Sequence, residues 1–306
     1  AALGAGLAGV VNLGAGTDQL TLGDFANTVT VSNVETLTGG TSSDVVVLAS
    51  AVTSGTVDLA GGTDRLTLGN FANTLTISNV ETITGGISAD IVTLGTAFSG
   101  TVDLGSASDT LTLGDFANTV TVLNIQTVTG GTSDDVIVVG GTSAAVVVDL
   151  GAGTDRLTLG NFANTVTASN IETITGGTSS DVVVLATALS GTVNLGSGTD
   201  TLTLGDFANT VTISGVETIT GGTSDDTVVL GAAVTSGTIN LGAGTDAITL
   251  GNFANTVTLT NIEAITGGTS TDVVTLGSAV TSGSISLGSG TDTLVLGNFA
   301  NTLTIS

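Results

Sequence analysis

The stretch "LGAGTDQLTLGDFANTVT", residues 13–30, decides the fold. Asp18 lies in a Gly-rich turn, and the residues after it alternate, with Leu20 and Leu22 on one face and Thr21 on the other. Period-two alternation is the pattern of a β-strand that buries one face. A turn rich in Gly and Asn follows, and then a second alternating segment, "TVT". The stretch therefore predicts short strands joined by tight turns.

Near copies of this stretch recur through the whole chain every 45 or 46 residues. Their Gly-rich turns place a first series of aspartates at Asp18, Asp64, Asp109, Asp155, Asp200, Asp246 and Asp292. A second turn, of the form GGTSSD, places Asp44, Asp90, Asp135, Asp181, Asp226 and Asp272 between them. Regular self-similarity with this period is typical of solenoid architectures.

The repeat predicts an all-β fold, a right- or left-handed parallel β-solenoid with about two coils in each repeat. No segment carries apolar residues at helical spacing, and Gly interrupts the pattern too often for a helix. We expect residues 1–306 to form a single continuous solenoid of about seven repeats. The predicted repeats are 1–17 (partial), 18–63, 64–108, 109–154, 155–199, 200–245, 246–291 and 292–306 (partial).

The composition excludes several classes of function. The chain contains two Arg, no Lys, and 26 Asp and Glu residues in total, which gives a formal net charge of −24. Such a chain lacks the basic surface that neutralises phosphates, so we expect no nucleic-acid partner. His, Cys, Lys and Tyr are absent, which leaves few candidates for a general base or nucleophile. We therefore expect no enzymatic activity.

The hydropathy pattern bears on location. No apolar run approaches the roughly 18 residues of a membrane-spanning helix, so we expect no membrane insertion. The absence of Cys is compatible with an extracellular protein without disulfides, although a cytoplasmic protein free of Cys has the same appearance.

The Asp turns resemble those of the RTX (repeats-in-toxin) family, whose nonapeptide is GGxGxDxUx, with U a large apolar residue. "LGAGTDQLT" at 13–21 lacks only the first Gly, and "GGTSSDVVV" at 39–47 has Ser42 in place of a later Gly. The resemblance implies Ca²⁺ held between neighbouring coils by turn carbonyls and carboxylates. The implied ligands are all thirteen aspartates of the two series given above. The same resemblance implies an extracellular or bacterial cell-surface location.

A reading without metal stays open for the same residues. Asp in a Gly-rich turn commonly accepts hydrogen bonds from nearby backbone N–H groups. Against that reading, carboxylates stacked once per coil along one edge repel each other by about 1 to 3 kcal/mol per neighbouring pair at intermediate dielectric. With almost no Lys or Arg present, a bound cation is the favoured counter-charge.

Two other positions repeat in "G(D/N)FANT". We expect the aromatic residues to form a stacked column that fills a corner of the core. They are Phe25, Phe71, Phe116, Phe162, Phe207, Phe253 and Phe299. We expect the amides to close the turn as a ladder. They are Asn27, Asn73, Asn118, Asn164, Asn209, Asn255 and Asn301.

Two further sets of polar residues repeat: a series of Glu at a predicted corner, and pairs of outward-facing Thr. Glu35, Glu81, Glu172, Glu217 and Glu263 occupy the corner, with Gln126 in one copy. Because Gln replaces Glu without other change, a solvent-facing turn role is favoured over ligation. The pairs from Thr28 and Thr30 to Thr302 and Thr304 form a T-x-T array similar to those of ice-binding solenoids.

These observations predict a structural extracellular protein: a calcium-stabilised filament, surface layer (S-layer), biofilm-matrix component or adhesin stalk that associates end to end or laterally. The expected partners are further copies of the chain and cell-surface glycans. One alternative is an RTX-like calcium-binding module that helps a secreted protein fold. A lesser alternative is ice binding through the outward threonines.

Overall fold

The computed structural model describes residues 6–142 and 145–306, and their only regular secondary structure is β-strand. Residues 1–5, in the predicted first partial repeat, and 143–144, in the predicted repeat 109–154, lie outside the described residues. No helix in the described part is long and apolar enough to cross a membrane. The chain divides into two compact units, Ala1–Asp155 and Arg156–Ser306. That all seven repeats form one continuous solenoid stays a prediction.

The first unit contains sixteen described strands. They are β1 (Ala8–Asn12), β2 (Gln19–Thr21), β3 (Thr28–Ser32), β4 (Thr36–Thr38), β5 (Val45–Leu48), β6 (Gly55–Asp58), β7 (Arg65–Thr67), β8 (Thr74–Ser78), β9 (Thr82–Gly86), β10 (Ile91–Leu94), β11 (Ser99–Gly105), β12 (Thr110–Thr112), β13 (Thr119–Leu123), β14 (Thr127–Gly131), β15 (Val136–Val139) and β16 (Val146–Gly151).

The second unit contains seventeen described strands. They are β17 (Arg156–Leu159), β18 (Thr165–Ser169), β19 (Thr173–Thr175), β20 (Val182–Leu185), β21 (Ser190–Asn194), β22 (Thr201–Thr203), β23 (Thr210–Ser214), β24 (Thr218–Gly222), β25 (Thr227–Leu230), β26 (Gly237–Gly242), β27 (Ala247–Thr249), β28 (Thr256–Thr260), β29 (Ala264–Gly268), β30 (Val273–Leu276), β31 (Thr281–Gly288), β32 (Thr293–Val295) and β33 (Thr302–Ile305).

Within each unit the strands alternate between two parallel sheets, so one coil consists of one strand from each sheet. In the first unit β3 pairs with β5 and β5 with β7, which sets Thr28 beside Val45 and Val45 beside Arg65. β2 and β4 pair in the same way in the other sheet. Coil lengths of 17 and 20 residues therefore follow each other. The predicted all-β parallel solenoid is confirmed.

Each sequence repeat supplies five strands, which is two and a half coils rather than two. The repeat that begins at Asp18 contributes β2 to β6, and the repeat that begins at Asp64 contributes β7 to β11. An odd number of strands places equivalent residues of successive repeats on opposite sheets. Within a unit, a residue therefore returns to the same sheet only after two repeats.

The core lies between the two sheets and is lined by the alternating apolar residues. Leu20 and Leu22 are 3% and 0% exposed, so the period-two prediction for the opening stretch is confirmed. At the ends of several strands an Asn adopts a left-handed conformation, with φ of 53° at Asn79, and its Nδ2 donates to Asp58 Oδ1 at 2.7 Å. Gly215 has φ of 57° at the equivalent place, because Gly, like Asn, tolerates this conformation.

Candidate functional site: two edges of stacked polar side chains

The thirteen aspartates lie at the turns between the sheets, and most of their side chains point into the protein. Asp18 and Asp292 are half-buried. The other eleven are at most 1% exposed. A carboxylate in such a place is costly unless its oxygens accept hydrogen bonds.

On one edge of the first unit, here called the Asp44 edge, each polar side chain accepts a hydrogen bond from the backbone of the preceding coil. Asn27 N donates to Asp44 Oδ1 at 2.9 Å, and Asp44 N donates to Asp64 Oδ1 at 2.6 Å. Asp64 N then donates to Glu81 Oε2 at 2.7 Å. The next coil has the buried Phe98 at this edge, and Phe98 N donates to Asn118 Oδ1, which begins the series again.

The opposite edge of the first unit, the Asp90 edge, carries the same series. Asn73 N donates to Asp90 Oδ1 at 2.9 Å, and Asp90 N to Asp109 Oδ1 at 2.7 Å. Asp109 N donates to Gln126 Oε1 at 2.7 Å. The side-chain order along either edge is therefore Asn, Asp, Asp, Glu or Gln, and then an apolar residue such as Val52.

The second unit repeats this arrangement on its own two edges. The Asp181 edge links Asn164 to Asp181, Asp181 to Asp200 and Asp200 to Glu217. The Asp226 edge links Asn209, Asp226, Asp246 and Glu263 in the same order.

These contacts correct the predicted position of the Asp ladder. The sequence predicts one carboxylate per coil along a single edge. Because a repeat is two and a half coils, the aspartates instead form adjacent pairs on both edges, such as Asp44 with Asp64 and Asp90 with Asp109. Two such pairs in each unit have Asn on one side and Glu or Gln on the other, so the described aspartates do not stack as one row with a carboxylate in every coil.

In most of the ladder aspartates, the second carboxylate oxygen, Oδ2, is buried and has no hydrogen-bond partner. This holds for Oδ2 of Asp18, Asp44, Asp64, Asp90, Asp109, Asp135, Asp181, Asp200, Asp226, Asp246 and Asp272. Loss of hydration on burial disfavours the charged form, so it raises the pKa of a carboxyl group.

The pKa of Asp64 is raised from 3.8 to about 6, first by burial and further by the charges of Glu81 and Asp44, against a lowering by the N–H of Asp44. Burial also raises the pKa of Asp200 and Asp246 to about 6. The same cause raises the pKa of the carboxyl groups of Asp90, Asp109, Asp135, Asp181 and Asp226. The interior therefore favours protonated or fully hydrogen-bonded carboxyl groups.

The ladder hydrogen bonds leave Oδ2 as the carboxylate oxygen that could serve the calcium arrangement implied by the RTX resemblance. Ca²⁺ takes six to eight oxygen ligands, whereas Oδ1 of every ladder aspartate except Asp18 already accepts a hydrogen bond from a backbone N–H. Among residues 6–142 and 145–306, no group of three or more acidic side chains is arranged to hold a metal ion. Calcium binding at the thirteen aspartates stays a prediction of the sequence.

The Glu corner has a role that the sequence did not reveal. Glu35 Oε2 accepts a hydrogen bond from Asp18 N at 2.8 Å, as Glu81 and Glu217 do in their coils. Gln126 makes the same bond through its amide oxygen. An acceptor oxygen is all that this position requires, which explains why Gln replaces Glu there.

The Asn and Phe predictions have different outcomes. Asn27 Nδ2 donates to Phe25 O at 2.5 Å, so the amide closes its turn as predicted. The predicted amide ladder is wrong, because Asn27 and Asn73 lie on opposite edges and each is followed by Asp in the next coil. The predicted aromatic column is wrong, because Phe25 and its six equivalents are 37% to 44% exposed. Equivalent Phe residues lie two and a half coils apart on alternating edges, so their rings cannot stack on one another.

The residue before each Phe gives the two edges of a unit different charge. Ser42 and Ser88 donate from their hydroxyl groups to the backbone oxygens of Asp24 and Asn70, which places Asp24 on the Asp44 edge and Asn70 on the Asp90 edge. Asp115 returns to the Asp44 edge. In the first unit, the alternation of Asp and Asn before Phe therefore places the acidic residues on one edge and the uncharged residue on the other.

No protein-family model and no curated protein sequence matches this chain. One solved structure that it resembles is a hyperactive, Ca²⁺-dependent, β-helical antifreeze protein from an Antarctic bacterium. The two are 23% identical over 98% of this chain and 83% of the other, with a TM-score of 0.24. With so low a TM-score, this likeness carries no conclusion about ligand or activity.

Proposed function

We propose that this chain is a structural protein of the bacterial cell surface or extracellular matrix, in which repeated coils build a filament, a surface layer or the stalk of an adhesin. The observation that carries the proposal is the hydrogen-bond series on both edges. It assigns the recurring Asn, Asp and Glu residues to the stacking of one coil on the next, as in Asn27 to Asp44. Residues used in this way extend a scaffold and leave no distinct reactive cluster, so the proposal includes no enzymatic role.

The proposed scaffold acts by association with further copies of itself, and cell-surface glycans are a second class of partner. Parallel stacking supports this role, because each coil offers the next a complete row of backbone donors and acceptors. Electron microscopy of the purified chain tests it. Filaments, sheets or bundles are the expected result, and dispersed single particles at all protein concentrations would contradict it.

The proposed structural protein and the alternative, an RTX-like folding module, differ in whether folding requires Ca²⁺. An RTX-like folding module needs the ion to fold, whereas the N–H contacts of the ladder stabilise the turns without one. We expect the strand signal in circular dichroism, and the assemblies in micrographs, to survive EDTA. Loss of both in EDTA and their return with Ca²⁺ would favour the folding module.

Ice binding is a second candidate, supported by one feature of the first unit. Six threonines lie in register on successive coils of the sheet that contains β4, and all are exposed or half-exposed. They are Thr36, Thr56, Thr76, Thr93, Thr112 and Thr129. The sequence had predicted an array of T-x-T strands, but those strands alternate between the sheets, with Thr28 on β3 and Thr74 on β8.

Thermal hysteresis tests this candidate. Ice binding through the column predicts hysteresis that the double variant Thr76→Lys, Thr93→Lys abolishes. The matched variant Thr30→Lys lies on the other sheet and should have no effect. Absence of hysteresis in the unmodified chain would exclude ice binding.

A further inference from the structure

One turn of the first unit departs from all its equivalents. The second repeat reads "GGISADI" at 85–91, where the other copies read GGTSSDV, GGTSDDV, GGTSDDT or GGTSTDV. Ile87 replaces Thr, Ala89 replaces a polar or acidic residue, and Ile91 replaces Val or Thr. All three changes increase the apolar character of the turn.

These side chains are on the surface. Ile87 is 70% exposed and Ile91 49% exposed, and Ala89 is exposed. Burial of such groups away from water is favourable by roughly 25 cal/mol per Å² of apolar area. Their exposure therefore gives no benefit to the isolated coil.

The turn lies directly against a Phe corner of the preceding coil. Ser88 Oγ donates to Asn70 O at 3.2 Å, and Ile91 N donates to Asn73 O at 2.8 Å. Phe71, which is 37% exposed, lies between these two contact points in the chain. We call the four exposed apolar residues at this turn and at the adjoining corner the apolar patch; they are Phe71, Ile87, Ala89 and Ile91.

The apolar patch lies on the edge with fewer carboxylates. On the Asp44 edge, the positions equivalent to Asn70 are Asp24 and Asp115, and Asp134 is one of the residues equivalent to Ala89. On the Asp90 edge both positions are uncharged in this repeat. A chain with a net charge of −24 repels its own copies, and this repulsion is weakest where the surface carboxylates are missing.

We propose that the apolar patch is the site at which two copies of this chain pair, with the same patch contributed by each. A second copy fits because it brings an apolar surface of the same kind, with no charge at Asn70 and Ala89. A basic partner would be attracted more strongly to the carboxylates of the Asp44 edge. Contact of one patch with its own equivalent closes after two chains. The inference deepens the proposed structural function by naming a lateral contact, and it rests on that function only for the premise that the chain associates with itself.

Sedimentation equilibrium of the whole chain tests the pairing. The triple variant Ile87→Thr, Ala89→Ser, Ile91→Val gives the turn residues that other repeats already use, so the fold is retained. We expect a monomer–dimer equilibrium for the unmodified chain and an increase of about tenfold or more in the dissociation constant for the variant. The control Val45→Thr removes an exposed apolar residue from the Asp44 edge and should leave the dimer unchanged.

A monomeric unmodified chain at all concentrations, or a dimer that the triple variant does not weaken, would overturn the inference. Micrographs of the triple variant separate this result from the proposed function. Filaments that persist after the dimer is lost leave the scaffold role intact, because the closed pair and the filament then use different surfaces.

Discussion

At the scale of the residue, the corners that carry Asn, Asp, Glu or Gln use a side-chain oxygen as a substitute for a backbone acceptor. Asp64 Oδ1 accepts the N–H of Asp44, and Glu81 Oε2 accepts the N–H of Asp64. A buried N–H without an acceptor costs about 1 to 3 kcal/mol. The polar residues at the corners therefore contribute to stability through single, identifiable bonds.

The raised pKa values predict how stability depends on pH. Asp64, Asp200 and Asp246 have folded pKa values of about 6 against 3.8 when unperturbed. The folded chain binds more protons between these values, so their favourable contribution is complete below about pH 4 and is lost as the pH rises through about 6. We expect a higher unfolding temperature near pH 5 than near pH 8. A rise in stability over this interval would contradict the assignment, and Asp64→Asn should flatten the profile.

The Glu corner gives a second prediction. Glu81→Gln keeps an acceptor oxygen for Asp64 N and should change the free energy of unfolding by less than about 0.5 kcal/mol. Glu81→Met removes the acceptor and should cost about 1 to 3 kcal/mol. Urea unfolding of the two variants measures the difference. Equal losses would show that the carboxylate charge, rather than its oxygen, is what matters.

At the scale of the element, close approach of turns on adjacent coils fixes where Gly is required. A Cβ at Gly86 would lie 2.1 Å from Gly69 O, whereas a Cβ at Gly61 would lie 3.7 Å from the nearest atom, Thr41 Cα. Gly86→Ala should therefore destabilise the chain by more than about 2 kcal/mol. Gly61→Ala should be nearly neutral, since Ala152 and Ala243 already occupy the equivalent position. Thermal unfolding of the pair checks both expectations.

The strands were predictable from the sequence. The number of coils in a repeat and the edge on which each Asp or Phe lies were not. Alternation of Leu20 and Leu22 directly encodes a strand with one buried face, and the structure has it. The number of strands per repeat could not be read in the same way, because "TLT" at 36–38 and "TVDL" at 56–59 do not show which sheet they join. Without that assignment, Asp44 and Asp90 could not be placed on opposite edges, and Phe25 appeared to belong to the core.

At the scale of the whole molecule, the order of side chains along an edge is preserved only by changes of whole repeats. Deletion of 64–108 removes five strands, and every remaining coil keeps a neighbour of the usual type. Deletion of 65–81 removes one coil, and it leaves Asp64 without Glu81 and Asp90 without Asn73. We expect the shorter deletion to lower the unfolding temperature more than the longer one. The reverse order would contradict the five-strand repeat.

Because each repeat contains an odd number of strands, equivalent residues of consecutive repeats lie on opposite edges. Asp24 and Asn70 occupy equivalent places in consecutive repeats and lie on opposite edges. Gain or loss of one repeat would therefore exchange the acidic and uncharged edges for all residues that follow, while two repeats would leave them in place. A surface property confined to one edge is therefore kept only when repeats are gained or lost two at a time. The alternation of Asp and Asn in the sequence marks this unit of two repeats.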